Sequence, residues 1–337
     1  WLKWGGVPWL PERLIVDFPM GQHAAVCRCQ DGKVKGAEAE EVHSRAMASS
    51  AEGAFGSGDS STFAKAVTDG REHRAEVTLP SGATYVGEWL GSVRDGEGLL
   101  TWPDGGRYTG QFVANRAEGR GCFVHADGDV YEGNWLADKA HGEGTYTHAD
   151  GSMFTGQWHR DLQHGEGFET WPDGTEYRGQ YRDGVKNGTG RFRWPDDSCY
   201  AGEFSENCIN GRGWYIWSDG RRYGGEWRAN QMHGRGTFTW ADGRRYEGQY
   251  VQDEKSGVGK FEWPDGRCYE GQWLHGKQHG LGQYSTSVGD RRAGYWEVGQ
   301  RVRWADPSEL EVAGAGVVIE GHRVGAEVSG DDDAMVL

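Results

Sequence analysis

The sequence predicts an all-β protein: an elongated, single-layer antiparallel sheet of stacked 23-residue β-hairpins, with an irregular N-terminal segment and a short C-terminal cap. Three observations predict it. A ring-Gly-ring pattern recurs at one fixed period, a Gly-x-Gly pair follows it at a fixed offset, and nearly every period reaches an Asp-Gly turn. The composition agrees, with 57 Gly and 17 Trp in 337 residues and 12% aromatic residues. That glycine share is more than twice the usual ~7%.

The first element of the unit is a ring at a spacing of 23: Tyr85, Tyr108, Tyr131, Phe154, Tyr177, Tyr200, Tyr223, Tyr246 and Tyr269. A Gly stands two residues after each, and two further on comes a second ring, as in Trp89, Trp135, Trp158, Trp227 and Trp273. Positions i, i+2 and i+4 project from one face of a strand. The Gly-x-Gly pair, such as Gly142 and Gly144, and the rings after it begin a second strand. The glycines leave slots without side chains into which large rings can lie. The corner, as in Trp102-Pro103-Asp104-Gly105, supplies the positive φ that a reversal needs. In the fifth unit that corner reads Asp196-Asp197.

One such hairpin buries too little to stand alone, so stability must come from stacking. Nine hairpins make eighteen strands, a sheet of roughly 85 Å at ~4.8 Å per strand. The repeat region is expected over 73–304, with nine full repeats at 85–291 and degenerate half-repeats at both ends. Residues 73–84 read as the second strand of a decayed unit; Arg292, Gly294 and Trp296 read as a last one without its Tyr. Decayed ends protect sheet edges from pairing with other chains.

Residues 1–72 show no repeat and read as a largely disordered segment with one helix-forming stretch at 37–54. Residues 305–337 read as a C-terminal cap and acidic tail, in which Asp306-Pro307 resembles a helix start.

Tyr-x-Gly-x-Trp, Gly-x-Gly and Asp-Gly at this period resemble the MORN (membrane occupation and recognition nexus) repeat family over about two thirds of the chain. The resemblance implies several roles. Relatives serve as membrane–cytoskeleton tethers, as parts of ciliary and other microtubule-based assemblies, and as accessory segments of phosphatidylinositol-phosphate kinases and lysine methyltransferases.

The formal net charge is −15, and residues 305–337 alone carry 8 acidic and 1 basic residue. A nucleic-acid binder needs a basic footprint, so that class is not expected. No run of about 18 apolar residues marks a spanning helix. The six cysteines lack CxxC spacing and read as reduced thiols of a cytoplasmic protein.

Two sets of residues are candidate contact surfaces. The first is basic. Units at 85–176 carry 6 basic and 16 acidic residues, whereas 177–245 carries 12 and 8. Within and beside that basic stretch Arg221, Arg244 and Arg267 share one repeat position, and Arg222 and Arg245 the next. Stacking would make a ladder for anionic phospholipid headgroups or an acidic partner, at ~1 kcal/mol per basic residue near an anionic surface. The plainer reading is a solvated face neutralised by Asp219, Asp242 and Asp265.

The second set is the aromatic rows, Tyr85, Trp89, Tyr108, Tyr131, Trp135, Trp158, Tyr177, Tyr200, Tyr223, Trp227, Tyr246, Tyr269 and Trp273. They are either the core or an exposed groove for a peptide or helix.

Nothing in the pattern points to catalysis, a cofactor or a metal. The Gly-x-Gly pairs lack the strand-to-helix context of a phosphate loop. The Asp of each Asp-Gly corner (Asp104, Asp127, Asp150, Asp173, Asp219, Asp242 and Asp265) is explained by turn chemistry. His141, His164, His233 and His279 share one position, but stacked neighbours are expected ~10 Å apart, too far to share an ion.

The function expected is a non-catalytic scaffold that tethers protein partners, cytoskeletal, ciliary or membrane-associated, at such a structure. The alternative is a regulatory piece of a larger enzyme such as a phosphatidylinositol-phosphate kinase. Direct anionic-phospholipid binding and homodimerisation through an open sheet are further options.

Overall fold

The computed structural model describes residues 70–306. The sequence expectations for the N-terminal segment and for a helix after Asp306 lie outside the described residues. Twenty-one strands occur among those described, and no helix. The chain divides into two units at Gln231 and Met232.

In the first unit the strands are β1 (Arg71–Thr78), β2 (Thr84–Leu90), β3 (Val93–Thr101), β4 (Arg107–Val113), β5 (Arg116–Val124), β6 (Val130–Leu136) and β7 (Lys139–Thr147). They continue as β8 (Met153–His159), β9 (Leu162–Thr170), β10 (Glu176–Arg182), β11 (Val185–Arg193), β12 (Cys199–Ser205), β13 (Cys208–Ile216) and β14 (Arg222–Arg228). The second unit holds β15 (Gln231–Thr239), β16 (Arg245–Val251), β17 (Glu254–Glu262), β18 (Cys268–Leu274), β19 (Lys277–Ser285), β20 (Arg291–Glu297) and β21 (Gln300–Trp304). Within each unit every strand pairs antiparallel with the next, a plain meander of 7- and 9-residue strands in the full repeats.

The repeat explains this pairing position by position. Gly87 lies opposite Gly98, and Gly179 opposite Gly190, so two bare backbones face each other. The first ring of the unit folds over that pair: a Cβ on Gly190 would stand 2.5 Å from Tyr177 Oη. The phenol donates to a carbonyl three residues on, Tyr85 to Glu88 at 3.0 Å and Tyr177 to Gln180 at 3.1 Å. The glycine slots are therefore filled by the ring of the same unit. The second ring of that unit and of the next then meet it edge-on. Tyr85 stands 5.2 Å from Trp89 at 85° and 5.1 Å from Phe112 at 87°. The herringbone continues through Tyr108–Trp135 and Tyr131–Trp158, and in the second unit through Tyr246–Trp273. Each such pair contributes ~0.5–1.5 kcal/mol beyond its buried area.

Two turn types alternate. The Asp-Gly corner has positive φ at Gly105 (94°) and Gly174 (89°), and Asp197 takes the same conformation at 67° in the unit that lacks the Gly. The other turn has two left-handed residues, as at Ala114-Asn115 (48° and 69°) and Glu206-Asn207 (50° and 65°). That is the type I′ geometry of a two-residue hairpin. Its second residue also reaches back one repeat. Asn115 Oδ1 accepts Arg94 N–H at 2.8 Å, and Asn207 Oδ1 accepts Lys186 N–H at 2.8 Å.

Each hairpin holds a bulge at the first glycine of the Gly-x-Gly pair, with Gly96 at φ 111° and Gly188 at 101°. The Glu or Gln three residues after the first ring caps it: Glu88 accepts Glu97 N–H at 2.8 Å and Gln180 accepts Thr189 N–H at 3.0 Å.

At the ends, Arg292 occupies the lost Tyr position, exposed, with its guanidinium 4.6 Å from the Trp304 ring centroid. Cys122, Cys199 and Cys268 are free thiols, and burial pushes Cys122 up to about 11. Cys208 is disulfide-bonded, which corrects the expectation of six reduced cysteines.

Candidate functional site

The thirteen rings named as a contact face are buried. The tyrosines are 0–1% exposed and the tryptophans 5–8%. They are the core, because facing glycines let the rings lie against backbone and edge-to-face packing closes the gaps between repeats. Burial pushes the Tyr85 phenol up to about 12 and raises Tyr177 and Tyr269 as well. A partner therefore cannot reach these rings without opening the core.

Cations also enter this layer. Lys186 is 8% exposed, bound to Glu169 at 2.6 Å, with its ammonium 4.9 Å from the Tyr177 ring centroid. Lys255 lies over Trp240, Phe261 and Trp273 at 5.0–5.3 Å, and burial, aided by nearby Arg244, pushes it down to about 8.

The arginine ladder splits by position. Arg221, Arg244 and Arg267 each turn back on the Asp two residues earlier, with Nε donating at 2.7 Å to Asp219, Asp242 and Asp265. Each also lies over the Trp of its own corner, 5.3–5.5 Å from Trp217, Trp240 and Trp263. The Arg221 hydrogen bond holds Asp219 below the usual carboxylate range, and the Arg267 N–H does the same for Asp265. Arg245 pairs with Glu247 at 2.6 Å and Glu262 at 3.4 Å. Arg222 is exposed and has no ion-pair partner among the described residues. Four of the five guanidiniums thus have their charge answered locally.

The corner carboxylates cap their own turns: Asp150 accepts Ser152 N–H at 2.8 Å and Asp173 accepts Thr175 N–H at 2.9 Å. The Ser152 N–H also holds Asp150 below its ordinary range.

The sequence reading missed a line of residues on the opposite side of β9–β13. Phe168 faces Arg178, Arg178 faces Arg191, Arg191 faces Ala201, and Ala201 faces Trp214. Phe168 is 37% and Trp214 52% exposed, and the indole lies against Gly224. Arg178 and Arg191 are both exposed and have no ion-pair partner among the described residues. Like charges directly opposite each other destabilise a sheet, so packing does not explain them. At ~4.8 Å per strand the line runs ~19 Å. The signal was available: these residues occupy the repeat positions one and fourteen after the first ring.

His141 and His164 are equivalent positions of adjacent repeats, as read from the sequence. The reading overlooked His159, whose ring lies between theirs, 5.3 Å from His141 and 5.6 Å from His164. His279, at the same repeat position, has no such neighbour, since Leu274 stands where unit four has His159.

With this geometry in hand, comparison with known proteins gives three results. The MORN repeat model matches nine consecutive segments, 85–107, 108–130, 131–153, 154–176, 177–199, 200–221, 223–244, 246–266 and 269–291. No curated protein matches the chain. Among solved structures, the chain is similar to the G-box domain of the microcephaly protein CPAP, at 14% identity and a TM-score of 0.33, over 60% of this chain and 100% of that one. It is also similar to virginiamycin B lyase from Staphylococcus aureus, at 10% identity and a TM-score of 0.13, over 66% of this chain and 69% of that one. These scores are too low to carry an argument about function.

Proposed function

We propose that this chain, which belongs to the MORN repeat family, is a non-catalytic platform that holds a protein partner against the outer face of β9–β13. The observation that supports this is the line Phe168, Arg178, Arg191, Trp214: two exposed rings flanking two unpaired, juxtaposed guanidiniums. Rings and arginines are the residue types that dominate binding energy at interfaces. Guanidiniums at this spacing fit the carboxylates of an acidic segment. Regularly stapled hairpins give such a surface a fixed geometry. A cytoplasmic membrane-, cytoskeleton- or cilium-associated site is the setting that the family's roles favour for it. A place in a larger enzyme would use the same surface.

The test is a displayed library of short acidic peptides, selected against the full chain and against the double variant Arg178→Glu/Arg191→Glu. We expect selected peptides to lose at least about tenfold in affinity for the variant at unchanged melting temperature. Peptides that bind both alike would overturn this surface.

A second reading, anionic-phospholipid binding, is favoured by the unpaired charges of Arg178, Arg191 and Arg222. Co-sedimentation with phosphatidylserine vesicles, against neutral ones and in high salt, distinguishes it. Sedimentation lost both in salt and in the variant supports a lipid-facing surface.

A further inference from the structure

We propose that His159, His164 and Asp183 form a binding site for a divalent transition-metal ion of the zinc class, on the turn side of β8–β10. One ligand atom of each residue lies within 4.8 Å of the others. His164 Nδ1 is already 3.6 Å from Asp183 Oδ1. A tetrahedral ion with bonds of ~2.0–2.1 Å needs ligand atoms ~3.3 Å apart. Rotation of the exposed His159 side chain at the end of β8 is what closes the set. Two imidazoles and a carboxylate are a donor set that zinc, nickel and copper favour over magnesium or calcium.

The frame is rigid. Arg160-Asp161 and Asp183-Gly184 are the left-handed turns of consecutive repeats. Asp161 N–H donates to Ala140 O at 3.0 Å and Gly184 N–H to Gln163 O at 2.9 Å. His159 and His164 thus lie on paired strands and Asp183 on a turn tied to its neighbour, so the backbone that carries the ligands is held in place.

The third histidine of this cluster stands outside the converging set. His141, behind His159, has a buried Nδ1 with no hydrogen-bond partner. A buried polar atom in that state calls for an explanation. The converging set supplies three donors, which leaves a tetrahedral ion's fourth position open to water or to a partner's side chain.

The ordinary role of the His164 position is to accept the N–H of the next repeat's turn. Asp95 does so from Ala114 at 3.1 Å and Glu118 from Ala137 at 2.9 Å. His164 accepts Asp183 N–H at only 3.5 Å, so this role is weakly filled. Among the nine repeats only the fourth combines His at this position, His five residues earlier and an acid on the next turn.

The proposal is tested on the untagged full chain with Zn2+ by titration calorimetry and with Co2+ by its visible d–d absorption. We expect a saturable site that His159→Ala and Asp183→Asn each weaken at least about tenfold, with circular dichroism unchanged. His279→Ala, which alters the same position in a repeat without the other two ligands, should leave binding as it is. Absence of saturable binding, or binding indifferent to both the His159 and Asp183 changes, would overturn the site.

Discussion

At the scale of single residues, glycine has different jobs at different positions. Gly174 has φ 89° and nothing within 4 Å of where its Cβ would be, so only its backbone conformation matters. Asp197 meets the same demand in the next unit. Gly190 has no such φ constraint, but a Cβ there meets Tyr177 ring carbons at 2.7 Å. Gly174→Asn should therefore change stability by no more than about 0.5 kcal/mol. Gly190→Ala should cost about 1–3 kcal/mol through overpacking. Denaturant titration of both variants reads the difference; equal losses would mean that the ring does not lie on that glycine. Both glycine positions were legible in the sequence as a period. Which one lies beneath a ring was not, because that depends on the partner strand.

At the scale of the element, the hairpin is closed by a turn that the sequence reading passed over. The turn Glu206-Asn207 has no Asp-Gly signal, yet both residues are left-handed and Asn207 Oδ1 ties the turn to Lys186 of the previous repeat. Gly184 shows what remains without the side chain: its N–H still donates to Gln163 O at 2.9 Å. Asn207→Gly should thus keep the turn and lose one hydrogen bond, about 1 kcal/mol. Asn207→Leu adds the strain of a branched residue at positive φ and should lose about 2–4 kcal/mol in all. Thermal melts order the two; a leucine variant as stable as the glycine one would refute the strained turn. The Asn, Asp or Gly recurs every 23 residues from Asn115 to Gly299 and was open to view. It was passed over because its main partner lies 21 residues back, outside any local turn rule.

At the scale of the whole molecule, the tyrosine row acts as one titrating set. Tyr85 is raised to about 12 by burial, and Tyr108, Tyr131, Tyr200 and Tyr246 are raised for the same reason. A phenol in the unfolded chain ionises near pH ~10. The neutral folded form thus contributes stability that is complete below that pH. It is lost as pH rises through the raised folded values, since above pH ~10 the unfolded chain releases protons the folded chain keeps. We expect the melting temperature to hold to about pH 10 and then fall steeply. Phenolate absorbance should rise together with the loss of β-sheet dichroism. Phenolate appearing at pH ~10 with the fold intact would place the row in solvent.

The sequence by itself determined the period, the hairpin and the Asp-Gly corner, because each is written within 23 residues and recurs along the chain. The tertiary structure alone decided which rings are sealed, which arginines are answered by carboxylates, and which side chains meet across strands. That division follows from register. Register fixes which side chains stand opposite one another, and each hairpin here contains a bulge that shifts it by two residues. Phe168, Arg178, Arg191 and Trp214 form a line, and His159 comes between His141 and His164, only once those bulges and turns are in place.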